Sequence, residues 1–479
     1  MNLRLDARIV GFLVAALGAA QLLLVLVALA FGDAPLPYLA SGGLCAGVGL
    51  VLALRARPIE RSIRPRDAFL VVGVGWALAS AAGAVPFLAT GSLGPVDALF
   101  ESVAGFTTTG STVMTDIEAA PRTLLLWRSF VQWVGGMGII LFTVAVLPLL
   151  GIGGMQLFRI EVPGPVKDKV RPRVIETARS LWGVYLGLTL LQGLALIGAG
   201  LSPFDAINHA FTTLATGGFS TRNASVGAYA SPAVEWIVIV FMALAGVNFV
   251  LHYRLLSRGP ASIWRDTELR YYLLVLVVAT LVVVPILPAE QASSLEAALR
   301  NALFSVVSIT TTTGYGTVDL EQWPALGQLV VLQLMILGGM SGSTGGGVKS
   351  LRVLIGFRAL ATATYKLVHP HAVRHVKYGG RVVPDDVVAG VWAFFTAYFA
   401  LAALAAAVVA AAGYDLVTAV SSALTALGNV GPGLGAVGPF DNFAHMPGVV
   451  KLVLALCMLA GRLEIFTLLV LLQPGFWRR

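Results

Sequence analysis

Long apolar segments alternate with short polar ones along almost the whole chain. Ten of them approach or exceed the roughly 20 residues needed to cross about 30 Å of hydrocarbon. They lie near residues 9–31, 36–54, 68–90, 123–150, 181–200, 233–256, 271–288, 323–360, 386–412 and 449–473. The pattern predicts an all-α polytopic membrane protein with ten crossings.

The first apolar segment admits two interpretations. Arg4 and Arg8 precede it, and the small-residue string 28–30 near its end would suit a signal peptidase. However, its apolar run is longer than the about 7 to 15 residues of a usual cleaved signal. We therefore favour a retained transmembrane helix.

A second kind of segment lies between paired spans. Four moderately apolar stretches are too short to cross a bilayer, and they cover residues 97–107, 204–215, 295–309 and 415–427. Each runs into a Thr/Gly-rich string, namely TTTGS at 107–111, TGGFS at 216–220, TTGYG at 312–316 and GNVGPG at 428–433. A half-length helix followed by Gly-rich irregular backbone is typical of a re-entrant pore loop, which protein or a water-filled cavity must surround.

The four strings can be aligned on one glycine each, at positions 110, 218, 314 and 431. The third string then differs by one residue from the TVGYG loop, whose backbone carbonyls replace the hydration shell of potassium in channels. A single such string is more often an ordinary turn, but four on one side of the membrane predict a selectivity filter with four loops in one polypeptide. The predicted filter residues are Thr108, Thr109, Gly110, Thr216, Gly217, Gly218, Thr312, Thr313, Gly314, Asn429, Val430 and Gly431.

Acidic residues lie near the start of three half-length segments. Asp97 and Asp205 each precede their aligned glycine by thirteen residues, where a carboxylate would stabilise a helix N-terminus. The equal spacing supports an internal repeat. The fourth segment departs, since Asp415 lies sixteen residues before Gly431, and the third has Asn301 at the matching position.

These segments predict a chain of five parts. Two extra transmembrane helices occupy residues 1–66, and four pseudo-repeats of helix, pore loop and helix follow around one pore. The expected repeat boundaries are 67–180, 181–270, 271–381 and 382–479.

The second helix of the third repeat should be broken. Its apolar stretch is too long for one crossing, and its middle reads GGMSGSTGGGVKS at 338–350. Each interior glycine costs about 1 kcal/mol relative to alanine in a helix, so the segment should unwind and line the conduction path. We expect a gate formed by Gly342, Ser343, Thr344, Gly345, Gly346, Gly347 and Lys349 together with Arg462. The alternative is a close-packed glycine face between two helices.

Arg462 lies inside the last apolar span. An arginine there costs several kcal/mol unless it faces water or a partner, so it is a functional candidate. Our hypothesis is an electrostatic plug that stabilises the closed state. The alternative is a structural ion pair with Glu464 or Glu101.

Composition and charge agree with a membrane protein. The chain is 57% hydrophobic and 12% charged, about half the charged fraction of a soluble domain. Its net charge of +8 is concentrated in alternate connectors, at 55–66, 159–179, 254–270 and 349–381. By the positive-inside rule these connectors and both termini are cytoplasmic, which puts the filter strings on the outer side. Nucleic-acid binding is disfavoured because each basic cluster directly adjoins an apolar span.

The remaining candidate residues carry weaker signals. The fourth basic connector contains Lys366, His369, His371, Arg374 and His375. We expect this cluster to contact a regulatory partner or anionic lipid, in preference to a metal. Cys45 and Cys457 lie in apolar runs and should be core residues. Catalytic and nucleotide-binding motifs are absent from the sequence, so an enzyme is not expected.

Six segments spread along the chain carry a family resemblance: FESVAGFTTTGST, TLATGGFSTRN, TTTTGYGT, LGNVGPGLG, SGSTGGGVK and GRLEIFT. Together they resemble the Trk/Ktr/HKT superfamily of cation transporters, and within it the TrkH-type potassium uptake subunits. The resemblance implies potassium uptake across a bacterial inner membrane, with potassium as the transported ion and no organic cofactor in this chain. It further implies a homodimer with one pore per subunit, a TrkA-type cytosolic nucleotide-binding partner, and Arg462 pointing into the pore.

One departure from the family concerns the filter. The second and fourth strings read TGG and NVG where the family pattern is TVG, so the ring is asymmetric and its selectivity is expected to be softer. A sodium- or proton-coupled cation symporter with weak selectivity is therefore the main alternative. A carrier for an organic or anionic solute is disfavoured because the half-helices point their C-termini inward. A sensor that binds potassium without conducting it is a third possibility.

Overall fold

The computed structural model describes residues 2–56, 65–145 and 170–478. Several basic residues expected in the cytoplasmic connectors lie outside these ranges, namely Arg57, Arg61, Arg64, Arg159, Lys167 and Lys169. The end of the fourth predicted span, beyond residue 145, also lies outside them.

Helices dominate the described residues. The first nine are α1 (Leu3–Phe31), α2 (Leu36–Arg55), α3 (Pro65–Ala89), α4 (Pro95–Phe106), α5 (Arg122–Ala145), α6 (Val170–Gly198), α7 (Pro203–Leu214), α8 (Pro232–Ala245) and α9 (Phe249–Arg258). The next nine are α10 (Thr267–Val283), α11 (Leu295–Thr310), α12 (Ala325–Leu337), α13 (Ser350–Val368), α14 (Asp385–Ala411), α15 (Leu416–Gly428), α16 (Gly448–Arg462), α17 (Phe466–Leu472) and α18 (Pro474–Trp477). Between α13 and α14, strands β1 (Lys377–Tyr378) and β2 (Arg381–Val382) form a small antiparallel hairpin.

Six described helices are long and apolar enough to cross a membrane unbroken: α1, α2, α3, α6, α10 and α14. Two further spans are bent pairs, since α8 meets α9 at 96° and α16 meets α17 at 112°. The all-α, polytopic fold class is thus confirmed. The predicted break of the third repeat is present between α12 and α13. The sequence predicted a break only in the third repeat, so the bends within the spans at 233–256 and 449–473 were not anticipated.

Helices α1 and α2 form a closely packed hairpin. A Cβ at Gly18 would overlap the backbone of Ala46, and one at Gly49 would overlap the backbone of Ala15. Small residues let two membrane helices approach this closely, so van der Waals contact holds the pair together. Helix α1 also packs on α3. It is an integral part of the fold, which supports a retained helix.

The four repeats interlock in a ring. The second helix of each repeat packs on the half-length helix of the next: α5 on α7, α8 on α11, α12 on α15, and α16 on α4. The last of these contacts joins the end of the chain to the first repeat and closes the circle. This cyclic order brings the four Thr/Gly-rich strings to one centre.

The half-length helices begin close to the predicted positions, but their acids play different roles. Asp97 and Asp205 are the third residues of α4 and α7 and do not cap them. Ser202 caps α7 by accepting a hydrogen bond from the Asp205 N–H at 3.1 Å. Asp415 is itself the N-cap of α15 and accepts from the N–H groups of Val417 and Thr418.

The third half-length helix is longer than the others. Helix α11 has 16 residues and starts at Leu295, with Ser294 as its cap. Asn301 is therefore inside the helix, where its side-chain amide donates to the Gln291 carbonyl at 2.7 Å. The expected correspondence with Asp97 does not hold, because the extra turn moves the helix start away from that position.

Candidate functional site

All four half-length helices end in the same turn. The first residue of each predicted filter triplet is left-handed, with φ of 52° at Thr108, 53° at Thr216, 59° at Thr312 and 55° at Asn429. The next N–H donates to the carbonyl five residues earlier: Thr109 to Ala104, Gly217 to Thr212, Thr313 to Ser308 and Val430 to Thr425, at 2.8 to 3.0 Å. This is the hydrogen bond of a Schellman motif, which stops a helix and turns the chain.

The left-handed residues are three threonines and an asparagine. A β-branched residue in this conformation costs about 1 to 3 kcal/mol and persists only where its surroundings impose it, often at functional sites. The aligned glycines also have positive φ, at 81°, 74°, 79° and 112°, which glycine adopts without strain. The threonine conformation was missed because the residue type gives no signal of it.

Each aligned glycine lies against a carbonyl of the next repeat. A Cβ would overlap a carbonyl oxygen at all four positions: Gly217 O at Gly110, Thr313 O at Gly218, Val430 O at Gly314, and Thr109 O at Gly431. The second residue of every triplet therefore contributes its carbonyl to one closed ring. Only glycine leaves room for that oxygen.

The space above the ring is a polar cavity of about 90 Å³ that all four aligned glycines line. At about 30 Å³ per water, it has room for a few waters or a partly dehydrated ion. Asp441 also lines it, and Glu321 lies beside Asp441. Burial, and then the charges of Asp441, Asp319 and Asp415, raise the pKa of the Glu321 carboxyl. The mouth is thus acidic on that side.

Gln132 of α5 makes the ring asymmetric. Its amide donates to the Gly217 carbonyl at 2.7 Å and accepts from the Phe219 N–H at 3.1 Å. One of the four ring carbonyls is therefore already hydrogen-bonded. The sequence did not identify Gln132, because it lies 85 residues from its partner.

Arg128 and Glu101 form a buried ion pair behind the ring. The Nε of Arg128 donates to Glu101 at 2.8 Å, and the two side chains are 1% and 0% exposed. Arg128 also donates to the Ser220 carbonyl and lies over the ring of Phe219. This pair ties α4 and α5 to the second filter string, and sequence reasoning missed Arg128.

The segment between α12 and α13, residues 338–349, lies under the ring and is called here the intramembrane loop. Its Gly347 N–H donates to the Gly428 carbonyl at 2.8 Å, and its Gly346 N–H donates to Thr312 Oγ1 at 2.7 Å. The Thr344 hydroxyl donates to the Leu214 carbonyl at 3.0 Å. The loop therefore contacts the C-terminal ends of three half-length helices.

The side chain of Arg462, the last residue of α16, extends to this loop. Its Nη1 donates to the Thr344 carbonyl at 2.7 Å, and its Nη2 donates to the Gly135 carbonyl at 3.2 Å. The side chain is buried, and its Nε has no hydrogen-bond partner in the described part of the chain. The guanidinium is held by backbone carbonyls.

The alternative ion pairs of Arg462 do not form among the described residues. Glu464 pairs with Arg352 and, at 3.5 Å, with Lys349, while Glu101 pairs with Arg128. Two cations, Arg352 and Lys349, thus share one carboxylate in this layer. Arg352 was not identified from the sequence, although it follows the loop by one helical turn.

The structure gathers the predicted site residues into two layers. The twelve filter residues meet in the ring, and residues 343–347 and Arg462 lie beneath it. Gly342 lies to the side, where its carbonyl accepts from the Phe249 N–H at the α8–α9 bend. Lys349 faces Glu464, and not the ring. Within the described ranges the three histidines of the fourth connector do not belong to any group arranged to hold a metal.

Four half-length helices, a closed ring of carbonyls and a charged layer beneath it define the class: a multi-span membrane transporter. A sequence model of the family TrkH, described as a cation transport protein, matches residues 44–477. The chain belongs to the TrkH family.

Named relatives agree with this assignment. The Trk system potassium uptake protein TrkH of Salmonella typhimurium is 42% identical over the full length of both chains. The Trk system potassium uptake protein TrkG of Escherichia coli is 36% identical and covers 91% of this chain and 90% of its own. The crystal structure of the potassium transporter TrkH from Vibrio parahaemolyticus matches with a TM-score of 0.91 at 39% identity, over all of both chains.

Proposed function

We propose that this chain takes up potassium ions across a bacterial inner membrane through the four-string ring. The observation that carries the proposal is the closed contact between each aligned glycine and a ring carbonyl, from Thr109, Gly217, Thr313 and Val430. Rings of backbone carbonyls replace the hydration shell of a cation. The half-length helices also point their C-terminal ends, which carry partial negative charge, at the centre. The relatives' names support potassium as the ion.

The intramembrane loop and Arg462 would form the gate. The loop is bonded to the helix ends under the ring, and Arg462 bonds to Thr344 of the loop. A fixed positive charge there opposes a second cation, so moving the loop and Arg462 together would open the path. We infer that a cytosolic TrkA-type nucleotide-binding subunit drives this movement through α13 and the exposed residues that follow it. The name "Trk system", which the relatives share, supports such a partner.

We extend the proposal to orientation and assembly. Both termini and the basic connectors are cytoplasmic, by the positive-inside rule. The chain forms a homodimer in contact with membrane lipid, as the family resemblance implies. The repeats keep the divisions 67–180, 181–270, 271–381 and 382–479, after the two extra helices of 1–66.

Cation flux into proteoliposomes that contain this chain alone tests the transport proposal. Potassium, rubidium, sodium and lithium are compared with and without an imposed proton gradient. We expect potassium and rubidium to enter far ahead of sodium, with no need for protons. Strict proton or sodium dependence would instead favour a coupled symporter. The hydrogen bond from Gln132 to one ring carbonyl is the observation that favours softer selectivity.

Arg462→Ala tests the gate in the same vesicles. We expect higher flux in a folded protein, because the change removes the charge under the ring and a buried group whose Nε is unpartnered among the described residues. Arg358→Ala on α13 is the control and should leave flux unchanged. Equal flux in wild type and Arg462→Ala would refute the electrostatic plug.

A further inference from the structure

An apolar cavity of about 210 Å³ lies at the side of the pore, between α1, α3 and α5. Its walls include Leu13 and Leu17 of α1, Trp76 and Ala79 of α3, and Gly138 of α5. The described residues that line it carry no ionisable side chain. An apolar cavity of about 150 Å³ can stay dry and bind benzene, so this larger one has room for a longer hydrocarbon.

The cavity lies deep in the span and opens toward lipid. Leu17 is the central residue of α1, and Leu13, at the rim, is 39% exposed. Leu13 is the tenth residue after Leu3, the start of α1, which places it about 15 Å along the helix at 1.5 Å per residue. The acyl chains of phospholipids fill a bilayer at this depth. A charged ligand would find no counter-charge on these walls.

The inner end of the cavity adjoins the first half-length helix and the residue that binds Arg462. Phe106, the last residue of α4, and Gly135 of α5 both line it. Gly135 packs directly on the Phe106 carbonyl, and its own carbonyl accepts a hydrogen bond from Arg462 at 3.2 Å. An occupant would therefore touch the residue that holds Arg462.

We propose that this cavity binds one acyl chain of a membrane phospholipid, which lies between α1, α3 and α5 and contacts Gly135. The inference goes beyond ion uptake and does not depend on it. Helix α1, the first of the two extra N-terminal helices, thereby gains a role, since it provides one wall of the site.

Photolabelling tests the proposal in the wild-type chain without any substitution. The protein is reconstituted with phosphatidylglycerol that carries a diazirine at the middle of one acyl chain, and labelled peptides are mapped by mass spectrometry. We expect labels on the segments around Leu13 and Trp76, at several times the level found on the lipid-facing side of α2. Labelling no greater than on α2 would overturn the proposal.

Two cavity-filling variants sharpen this test. A Cβ at Gly138 would make ordinary contact with Trp76, and one at Gly75 would do so with Leu13. Gly138→Leu and Gly75→Leu should each reduce labelling of the cavity segments at least fivefold. The matched control is Gly47→Leu on α2, where a Cβ meets nothing within 4 Å. Unchanged labelling in both filled variants, with monodisperse protein, would also overturn the proposal.

Discussion

At the residue scale, the ring depends on glycines that serve two purposes. Gly314 has φ of 79°, and a Cβ there would overlap the Val430 carbonyl oxygen. The positive φ follows from the turn, and the close contact with the carbonyl oxygen follows from the neighbouring repeat. A substitution at this position therefore adds backbone strain and also displaces a ring oxygen.

We expect Gly314→Ala to abolish selective potassium flux while the protein still folds. Gly413→Ala is a matched control, because Gly413 also has positive φ, at 95°, but has open space around its Cβ position. Both changes should cost about 1 to 3 kcal/mol of stability through strain. Thermal unfolding and rubidium flux measure the two effects. Equal loss of flux in both variants would contradict the steric explanation.

Residue identity alone predicted part of this site. The aligned glycines and Arg462 were visible because glycine favours positive φ and because a charge inside an apolar span is rare. Gln132, Arg128 and Arg352 were not visible. Each acts on a partner that is distant in sequence or that only the fold brings close.

At the element scale, the intramembrane loop is held by a few hydrogen bonds to the helix ends. The Thr344 hydroxyl reaches the Leu214 carbonyl at 3.0 Å and the Ala245 carbonyl at 3.2 Å. Its own carbonyl accepts from Arg462. This threonine therefore joins the loop to the second repeat and, through Arg462, to the fourth.

Thr344→Val should release the loop without changing its shape. The lost hydrogen bond is worth about 1 kcal/mol, which corresponds to about a fivefold shift toward the open state. Thr364→Val on α13 is the control, since that exposed hydroxyl bonds only to its own helix. Rubidium flux without a partner subunit reports the difference. Reduced flux in Thr344→Val would argue for the glycine-packing alternative.

The sequence predicted the broken third repeat because six glycines interrupt one apolar run. It missed the bends after α8 and α16, because Gly246 and Gly461 are single glycines and a single glycine does not predict a break. The bend after α16 falls at Glu464 and Ile465, which have φ of 62° and 47°, and a Cβ at Gly461 just before it would overlap the Leu427 carbonyl. A contact with a helix that is distant in sequence leaves no pattern in the residues around the bend.

At the scale of the whole molecule, ion pairs join repeats that are adjacent in the ring. Lys451 of α16 donates to Asp97 of α4 at 2.6 Å, which links the fourth repeat to the first. Arg300 of α11 pairs with Glu235 of α8 and links the second repeat to the third. Lys451 is 6% exposed and Asp97 is 34% exposed. The two partners therefore differ in their access to water.

This difference in exposure predicts that removing Asp97 and removing Lys451 will lower stability by different amounts. Asp97→Asn should destabilise the protein by about 3 kcal/mol, because it leaves a buried ammonium without its counter-ion. Lys451→Met should cost less, since Asp97 can be hydrated. Glu296→Gln, at the exposed end of the Arg300 network, should leave stability almost unchanged, because solvent screens that pair. Thermal unfolding in detergent measures all three, and a larger loss in Lys451→Met would contradict this explanation.

The acidic mouth predicts a pH dependence on the filter side. Burial and the neighbouring carboxylates raise the pKa of Glu321 above its ordinary 4.5, so this carboxyl gains its proton at a higher pH than a free glutamate does. Local cation concentration then drops, and flux at low salt should fall. The folded state should gain stability from the same protonation, because the charged form is the disfavoured one.

Glu321→Gln should lower flux at pH values above the pKa of Glu321 and flatten this dependence. Glu290→Gln, in another loop, is the control and should keep the wild-type profile. An unchanged profile in Glu321→Gln would assign the titration to another group.

The sequence by itself determined the membrane spans, the half-length helices and the four Thr/Gly-rich strings, because apolar length and glycine position are local properties of the chain. The tertiary structure alone decided the order of the ring, the carbonyl that meets each glycine, and the acceptors of Arg462. Those acceptors lie 118 and 327 residues from Arg462. Contacts over such separations arise only when the second helix of each repeat packs on the half-length helix of the next.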